Sequence, residues 1–306
     1  MIDLSVEIAG VTLPNPVLPA SGTYEVDEIH EEFFSPAELG AVINKTIFMN
    51  PRPGNPPPRI WETPCGMLNA IGIPSEGLEK FLENRLPRLR SLGPPVIVSI
   101  AGNTLREWRD LAGAIDKSGS ADMIELDLSC PNLEHGFIWA AEPTALSDAV
   151  AAAVDVTSLP VIAKLSPNVG DISEMASIAE EAGSAALSMV NSYLGMAIDI
   201  ERQTPALGNI TGGLTGPAIR PLAVHSVFAT FQKVGVPIIG IGGIASWMDA
   251  VEFLLAGATA VAVGTQNFVN PLAMQEVIRG IAGYAEKRGL ASVRELIGCA
   301  HQNREA

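Results

Sequence analysis

Eight short apolar runs, each followed by a stretch of helical character, constrain this chain more than any other feature. They are Val17–Ala20, Ala41–Lys45, Val96–Ile100, Met123–Leu128, Val161–Leu165, Ala185–Val190, Ile238–Ile241 and Ala260–Val263. Short, nearly continuous apolar runs of this kind read as strands buried on both faces, the pattern of a parallel sheet. Helical patterns fall near Glu76–Leu92, Leu105–Lys117, Ala145–Val156, Ile172–Ala182, Pro217–Lys233 and Trp247–Ala256, with a last one at Leu272–Lys287. Strict alternation implies parallel strands, and eight of them is the number that closes into a (β/α)8 barrel. A doubly wound open sheet is the alternative. Upstream, Val6–Leu13 reads as a hairpin turning at Ala9-Gly10, a plug beneath the barrel. With no internal repeat, biased tract or linker, residues 1–306 read as a single domain.

Composition narrows the partners. Hydrophobic residues make up 47% of the chain and charged ones 17%, which supports a large core and argues against disorder. A net charge of −15 weighs against nucleic acid or an anionic membrane, since both select basic patches. An anionic ligand would then need positive charge supplied locally. Cys65, Cys130 and Cys299 are widely separated and form no CxxC, as in a reducing cytosol. The start of the chain lacks the basic and apolar regions of a signal peptide. No apolar stretch approaches the ~18 residues of a membrane span, so a cytoplasmic location is expected. His30, His135, His225 and His301 have no metal-ligand spacing, and His135 reads as a solvated loop residue. Cys65 reads as a packing residue, and Trp61 and Trp139 as shields for loops.

In a parallel barrel the chemistry gathers where the strands end. The residues just past each run are Ala20-Ser21-Gly22, Lys45-Thr46, Gly102-Asn103, Asp127 with Cys130, Lys164, Asn191-Ser192, Gly242-Gly243 and Gly264-Thr265. Pro131 cannot continue a central strand, so Cys130 belongs on the turn after the fourth, a candidate base or nucleophile. Gly242-Gly243 after run seven and Gly264-Thr265 after run eight match the usual barrel phosphate site. Lys45 and Lys164 end otherwise apolar runs; each alone could snorkel to solvent, but two facing one cavity argue for an anionic ligand. Asn69, Asn103, Asn132 and Asn191 offer donors and acceptors suited to a cyclic imide or pyrimidine. Two long connections, Thr46–Ser75 and Asn191–Gly216, leave this same end and are expected to roof the site. The first is rich in proline and carries Arg52 and Arg59.

Nearly the whole chain resembles the class 1 dihydroorotate dehydrogenases. The matching pieces include Pro19-Ala-Ser-Gly22, Asn44-Lys-Thr46, Pro51-Arg-Pro-Gly-Asn-Pro-Pro-Pro-Arg59, Glu62-Thr63 and Leu128-Ser-Cys-Pro-Asn132. Further matches are Gly212-Gly-Leu-Thr-Gly-Pro-Ala-Ile219 and Ile239-Gly-Ile-Gly-Gly-Ile244. The form Gly66-Met-Leu-Asn-Ala-Ile-Gly72 is similar to subclass 1B, whose members pair with an iron–sulfur and FAD subunit that passes electrons to NAD. The resemblance implies an FMN enzyme that oxidises dihydroorotate to orotate, built as a homodimer core. Cys130 would be the general base, and Lys164 would stabilise negative charge on the reduced flavin. It further implies that FMN is held by Ala20, Ser21, Gly22, Lys45, Thr46, Asn103, Asp127, Lys164, Val190, Gly216, Gly242, Gly243, Gly264 and Thr265. The pyrimidine would be held by Lys45, Asn69, Ala70, Ile71, Gly72, Ile73, Asp127, Asn132, Asn191 and Ser192.

Two departures stand out. Asp127 occupies a position where the family usually has Asn, and an ionised Asp accepts hydrogen bonds but cannot donate. Either burial keeps it protonated, or lysine charge compensates, or the preferred substrate is another dihydropyrimidine such as dihydrouracil. Ser192-Tyr193 replaces the more usual Thr and smaller residue. From a different class, a flavin-binding barrel kept only for interaction is the alternative, and the intact Cys130, Lys45 and Lys164 speak against it.

Overall fold

The amino-terminal hairpin forms as expected. β1 (Val6–Ile8) and β2 (Val11–Leu13) pair antiparallel with Ile8 opposite Val11. Ala9 and Gly10 both take positive φ, 51° and 84°, in the two-residue turn whose twist matches that of the flanking strands. Alternation sends Val6, Ile8 and Leu13 into the main core. The chain passes almost directly from Leu13 into the first barrel strand, so the hairpin caps the barrel's amino-terminal end. The structure is a computed structural model and describes residues 2–24, 32–129 and 138–302.

After the hairpin come β3 (Val17–Pro19), β4 (Val42–Ile43), β5 (Ile60–Thr63), β6 (Gly66–Asn69), β7 (Val96–Ile100), β8 (Met123–Asp127) and β9 (Val161–Lys164). Then follow β10 (Ala186–Met189), β11 (Tyr193–Gly195), β12 (Ile198–Asp199), β13 (Thr204–Pro205), β14 (Gly212–Thr215), β15 (Ile238–Ile241) and β16 (Ala260–Val263). Eight of these make one parallel sheet in the order β3-β16-β15-β10-β9-β8-β7-β4. Across the remaining seam the Gly40 N–H donates to the Val17 carbonyl at 2.7 Å, which brings the sheet round into a (β/α)8 barrel. β4 is shorter than the run Ala41–Lys45 suggests. Asn44 takes over the ladder there, accepting from the Ser99 N–H at 2.7 Å and donating to the Ser99 carbonyl at 3.1 Å.

The surrounding helices follow their apolar stripes. In Leu105–Ser118 the buried positions are Trp108, Leu111, Ala112 and Ile115, the i, i+3, i+4, i+7 face. The Thr104 side chain caps its start and Gly119, at φ 63°, ends it. Burying a side chain of Leu or Ile size in this way contributes roughly 1.5–3 kcal/mol. Trp139 meets Trp108 edge-on at 6.1 Å and donates to the Gly102 carbonyl, so it does shield a loop. The expected helix at Glu76–Leu92 is broken instead. Leu78–Lys80 runs into a π-helical turn, Phe81–Arg85, before Leu86–Ser91. Pro87 has no N–H to continue the regular ladder, and the wider turn precedes it.

The largest difference lies in the two long connections. They are not irregular roofs: β11, β14, β6 and β5 form a four-stranded antiparallel sheet, with β6 from the first connection paired to β14 from the second. Glycine makes the join possible. A Cβ on Gly66 would lie 2.0 Å from the Thr215 carbonyl oxygen, and one on Gly216 would lie 2.7 Å from the Gly66 Cα. Cys65, expected to pack, is exposed on the turn between β5 and β6, where only its carbonyl is used, accepting from the Ala218 N–H. Among the described residues no helix is long and apolar enough to cross a membrane.

Candidate active site

At the carboxyl end of the barrel the strand ends surround one cavity of about 710 Å³. Its floor and walls carry Ala20, Ser21 and Gly22 after β3, and Lys45 and Thr46 after β4. Asp127 and Lys164 close β8 and β9, and Val190, Asn191 and Ser192 follow β10. Gly242 and Gly243 follow β15, and Gly264 and Thr265 follow β16. The small sheet supplies the roof, with Asn69, Ile71, Gly72, Ile73 and Gly216 lining it. Residues drawn from most of the length of the chain thus meet around one space.

Two expected residues are placed elsewhere. Asn103 lines a separate, smaller cavity beside Phe48 and Arg52, because Glu107, one helical turn on, accepts from both its backbone N–H and its side-chain amide. Ala70 is fully buried in a satellite cluster with Leu68 and Leu207. Cys130, Asn132 and His135 lie outside the described residues. Met67, Glu76, Arg85 and Phe268 also line the cavity although none stands at the end of a barrel strand, and Glu125 lies next to Lys164.

The charge of the cavity runs against that of the chain. Its lining carries four cations, Lys45, Arg52, Arg85 and Lys164, and two carboxylates, Glu76 and Asp127, in a protein of net charge −15. One of those carboxylates, Glu76, is paired with Arg85 at 2.8 Å at the mouth. Lys164 does not snorkel: its side chain is 6% exposed, and Nζ donates to Ser21 Oγ at 2.8 Å. Gly22 (φ 75°) leaves room for the other lysine, since a Cβ there would lie 2.5 Å from Lys45 Cδ.

Asp127 is 6% exposed and surrounded by donors. Ser129 Oγ donates to Oδ1 at 3.0 Å, Asn191 Nδ2 approaches Oδ1 at 3.4 Å, and Thr46 Oγ1 donates to Oδ2 at 3.3 Å. The Asn191 amide is oriented by its surroundings: Nδ2 donates to Ser129 Oγ at 2.6 Å, and Oδ1 accepts from the Ser192 N–H at 2.8 Å. From Asp127 the network continues down the barrel through Thr46 Oγ1 and Ser99 Oγ, 3.0 Å apart, to Glu125 at 3.2 Å.

A glycine-lined end beside two strand termini suits phosphate, and the volume suits a sizeable ring ligand. Gly243 takes φ 74°, and a Cβ there would lie 2.8 Å from the Arg220 nitrogen, so the backbone itself forms that wall. Fold and site together define a barrel with a cation-lined cavity at the carboxyl ends of its strands. A family model described as dihydroorotate dehydrogenase matches residues 3–284, and the chain belongs to that family of oxidoreductases. Its relatives cover it almost end to end. A protein of Geotalea uraniireducens is 47% identical over 97% of both chains, and one of Desulforudis audaxviator is 48% identical over 98% of both. A third, from Geobacter sulfurreducens, is 47% identical over 97% of both. Each of the three is named dihydroorotate dehydrogenase B (NAD(+)), catalytic subunit.

Proposed function

We propose that this chain is the FMN-binding catalytic subunit of an NAD-linked dihydroorotate dehydrogenase, oxidising (S)-dihydroorotate to orotate in pyrimidine biosynthesis. The observation that carries the reading is the single cavity in which Lys45, Lys164, Asn69, Asn191 and the glycine ends of β15 and β16 meet. FMN fits these residues. Gly242, Gly243, Gly264 and Thr265 would take its phosphate, with Ala20, Ser21, Gly22, Thr46, Val190 and Gly216 around the rest of the molecule. Its flavin ring supplies the acceptor for a hydride leaving C6 of the substrate.

The chain's own residues do the rest. Lys164 would place a positive charge beside the flavin ring, where it would stabilise the negative charge of the reduced form. Cys130, as thiolate, would remove the C5 proton as the C5–C6 double bond forms. Asn69, Ile71, Gly72 and Ile73 of the roof, with Asn132, Asn191 and Ser192, would hold the pyrimidine, and the surplus of cations would meet its carboxylate. The relatives' name, catalytic subunit, supports a further chain that carries electrons onward, which we assign an iron–sulfur cluster and FAD. A homodimer core and a cytoplasmic location complete the reading.

Asp127 fits dihydroorotate as well as another pyrimidine, because its oxygens are engaged by protein donors. Between Asp127 and Glu125, two hydroxyl hydrogens, those of Thr46 and Ser99, serve three contacts. An Asn at 127 would add the missing hydrogen: Nδ2 to Thr46, Thr46 to Ser99, Ser99 to Glu125. Orotate titrated into flavin-loaded protein should shift the visible absorption saturably, and Asp127→Asn should bind it at least as tightly with an equal or higher kcat/KM for dihydroorotate. No shift with orotate would remove the substrate assignment. A fall of about tenfold or more in kcat/KM, about 1.4 kcal/mol, would mean that the aspartate is required.

A further inference from the structure

Glu125 is a buried charge that the proposed reaction leaves unused. It precedes Asp127 by two residues on β8, so both side chains point into the barrel, with Glu125 one layer deeper. Its side chain is 4% exposed. Three strands converge on its carboxylate. Ser99 of β7, directly opposite it in register, donates at 3.2 Å, and Ser188 of β10 donates at 2.9 Å. Lys164 of β9 brings Nζ to 3.6 Å from Oε1.

Removal from water drives a lysine toward the neutral amine, and an opposite charge within about 4–6 Å restores the ammonium. Glu125, within ion-pair distance of Nζ, supplies such a charge from the layer below. Lys45, at the end of β4, lines the same cavity, and a like charge favours proton loss. Asp127, on β8 directly opposite Lys164 in register, is a second carboxylate, its oxygens held by Thr46, Ser129 and Asn191, and Arg52, Glu76 and Arg85 line the same cavity. Ser21 after β3 and Ser188 on β10 contribute hydroxyls only. A carboxylate fixed by two serines beneath one lysine is therefore a built counter-ion.

We propose that Glu125 is a positioning residue that keeps Lys164 protonated and aimed at the ring bound above, and so sets that ring's reduction potential. The proposal rests on the flavin reading of the cavity. The experiment is the midpoint potential of bound FMN, poised at an electrode with mediators, from about pH 6 to about pH 9. With Lys164 charged throughout, two electrons enter with one proton, leaving the reduced ring with one negative charge. The potential then falls by about 30 mV per pH unit, a tenfold change in a two-electron equilibrium. In Glu125→Gln, Lys164 begins neutral at the alkaline end and takes up a second proton on reduction. The slope there should steepen to about 60 mV per pH unit. A yellow Glu125→Gln protein that keeps the wild-type slope overturns the role of Glu125 and leaves the flavin reading intact. A wild-type protein that takes up no FMN overturns both. If Glu125→Gln does not fold, Ser188→Ala loosens the same carboxylate and should steepen the slope at the alkaline end; an unchanged slope overturns the proposal.

Discussion

With serine in place of Cys130, anaerobic reduction of the bound flavin by dihydroorotate should slow by about 10²–10⁴-fold at neutral pH, with FMN binding unchanged. A thiol of ordinary pKa, about 8.5, already gives some thiolate near neutrality, whereas a serine hydroxyl gives essentially none. Cys130 follows the last residue of β8 by three positions in sequence, and Asp127 and Lys164, which end β8 and β9, line the cavity. The wild-type rate should therefore rise with pH and level off as the thiol ionises. The serine variant should keep rising without a plateau. A loss smaller than about tenfold at neutral pH would take the base away from Cys130 and move it to another group of the cavity.

Removing the lysine should be costly before any ligand binds. Lys164→Gln leaves Glu125, 4% exposed, without its cation, and breaking a buried pair from one side costs about 3–5 kcal/mol. Ser99 and Ser188 would still donate, but two neutral hydroxyls do not replace an ammonium. Urea unfolding of flavin-free protein is the measurement, because bound FMN would add its own stabilisation. The double variant Lys164→Gln/Glu125→Gln should recover most of the loss, since neither amide carries a charge to leave unpaired. A single-variant loss below about 1 kcal/mol would mean that water reaches Glu125.

The barrel was legible in the sequence because its strands are buried on both faces and read as unbroken apolar runs; β7, β15 and β16 match their expected bounds residue for residue. The roof was not. β5 is largely exposed and lies in a proline-rich stretch, while β14 begins with two glycines, so neither shows alternation. Their sheet comes from pairing Gly213 with Asn69 and Thr215 with Met67, contacts distant in sequence that no local pattern signals. The strand-end rule placed most of the candidate residues around the cavity, and it failed at Asn103, where Glu107 captures the asparagine at the start of a helix. Glu125 is hidden inside the apolar run Met123–Leu128, although two-residue periodicity puts it on the same face as Asp127.

The most direct measurement is anaerobic mixing of FMN-loaded protein with L-dihydroorotate while the visible flavin band is followed. The account predicts that the band bleaches in a single substrate-dependent phase and returns when an acceptor is added. Protein that holds FMN in this cavity but is never bleached by dihydroorotate, at any pH where it stays folded, would contradict the account.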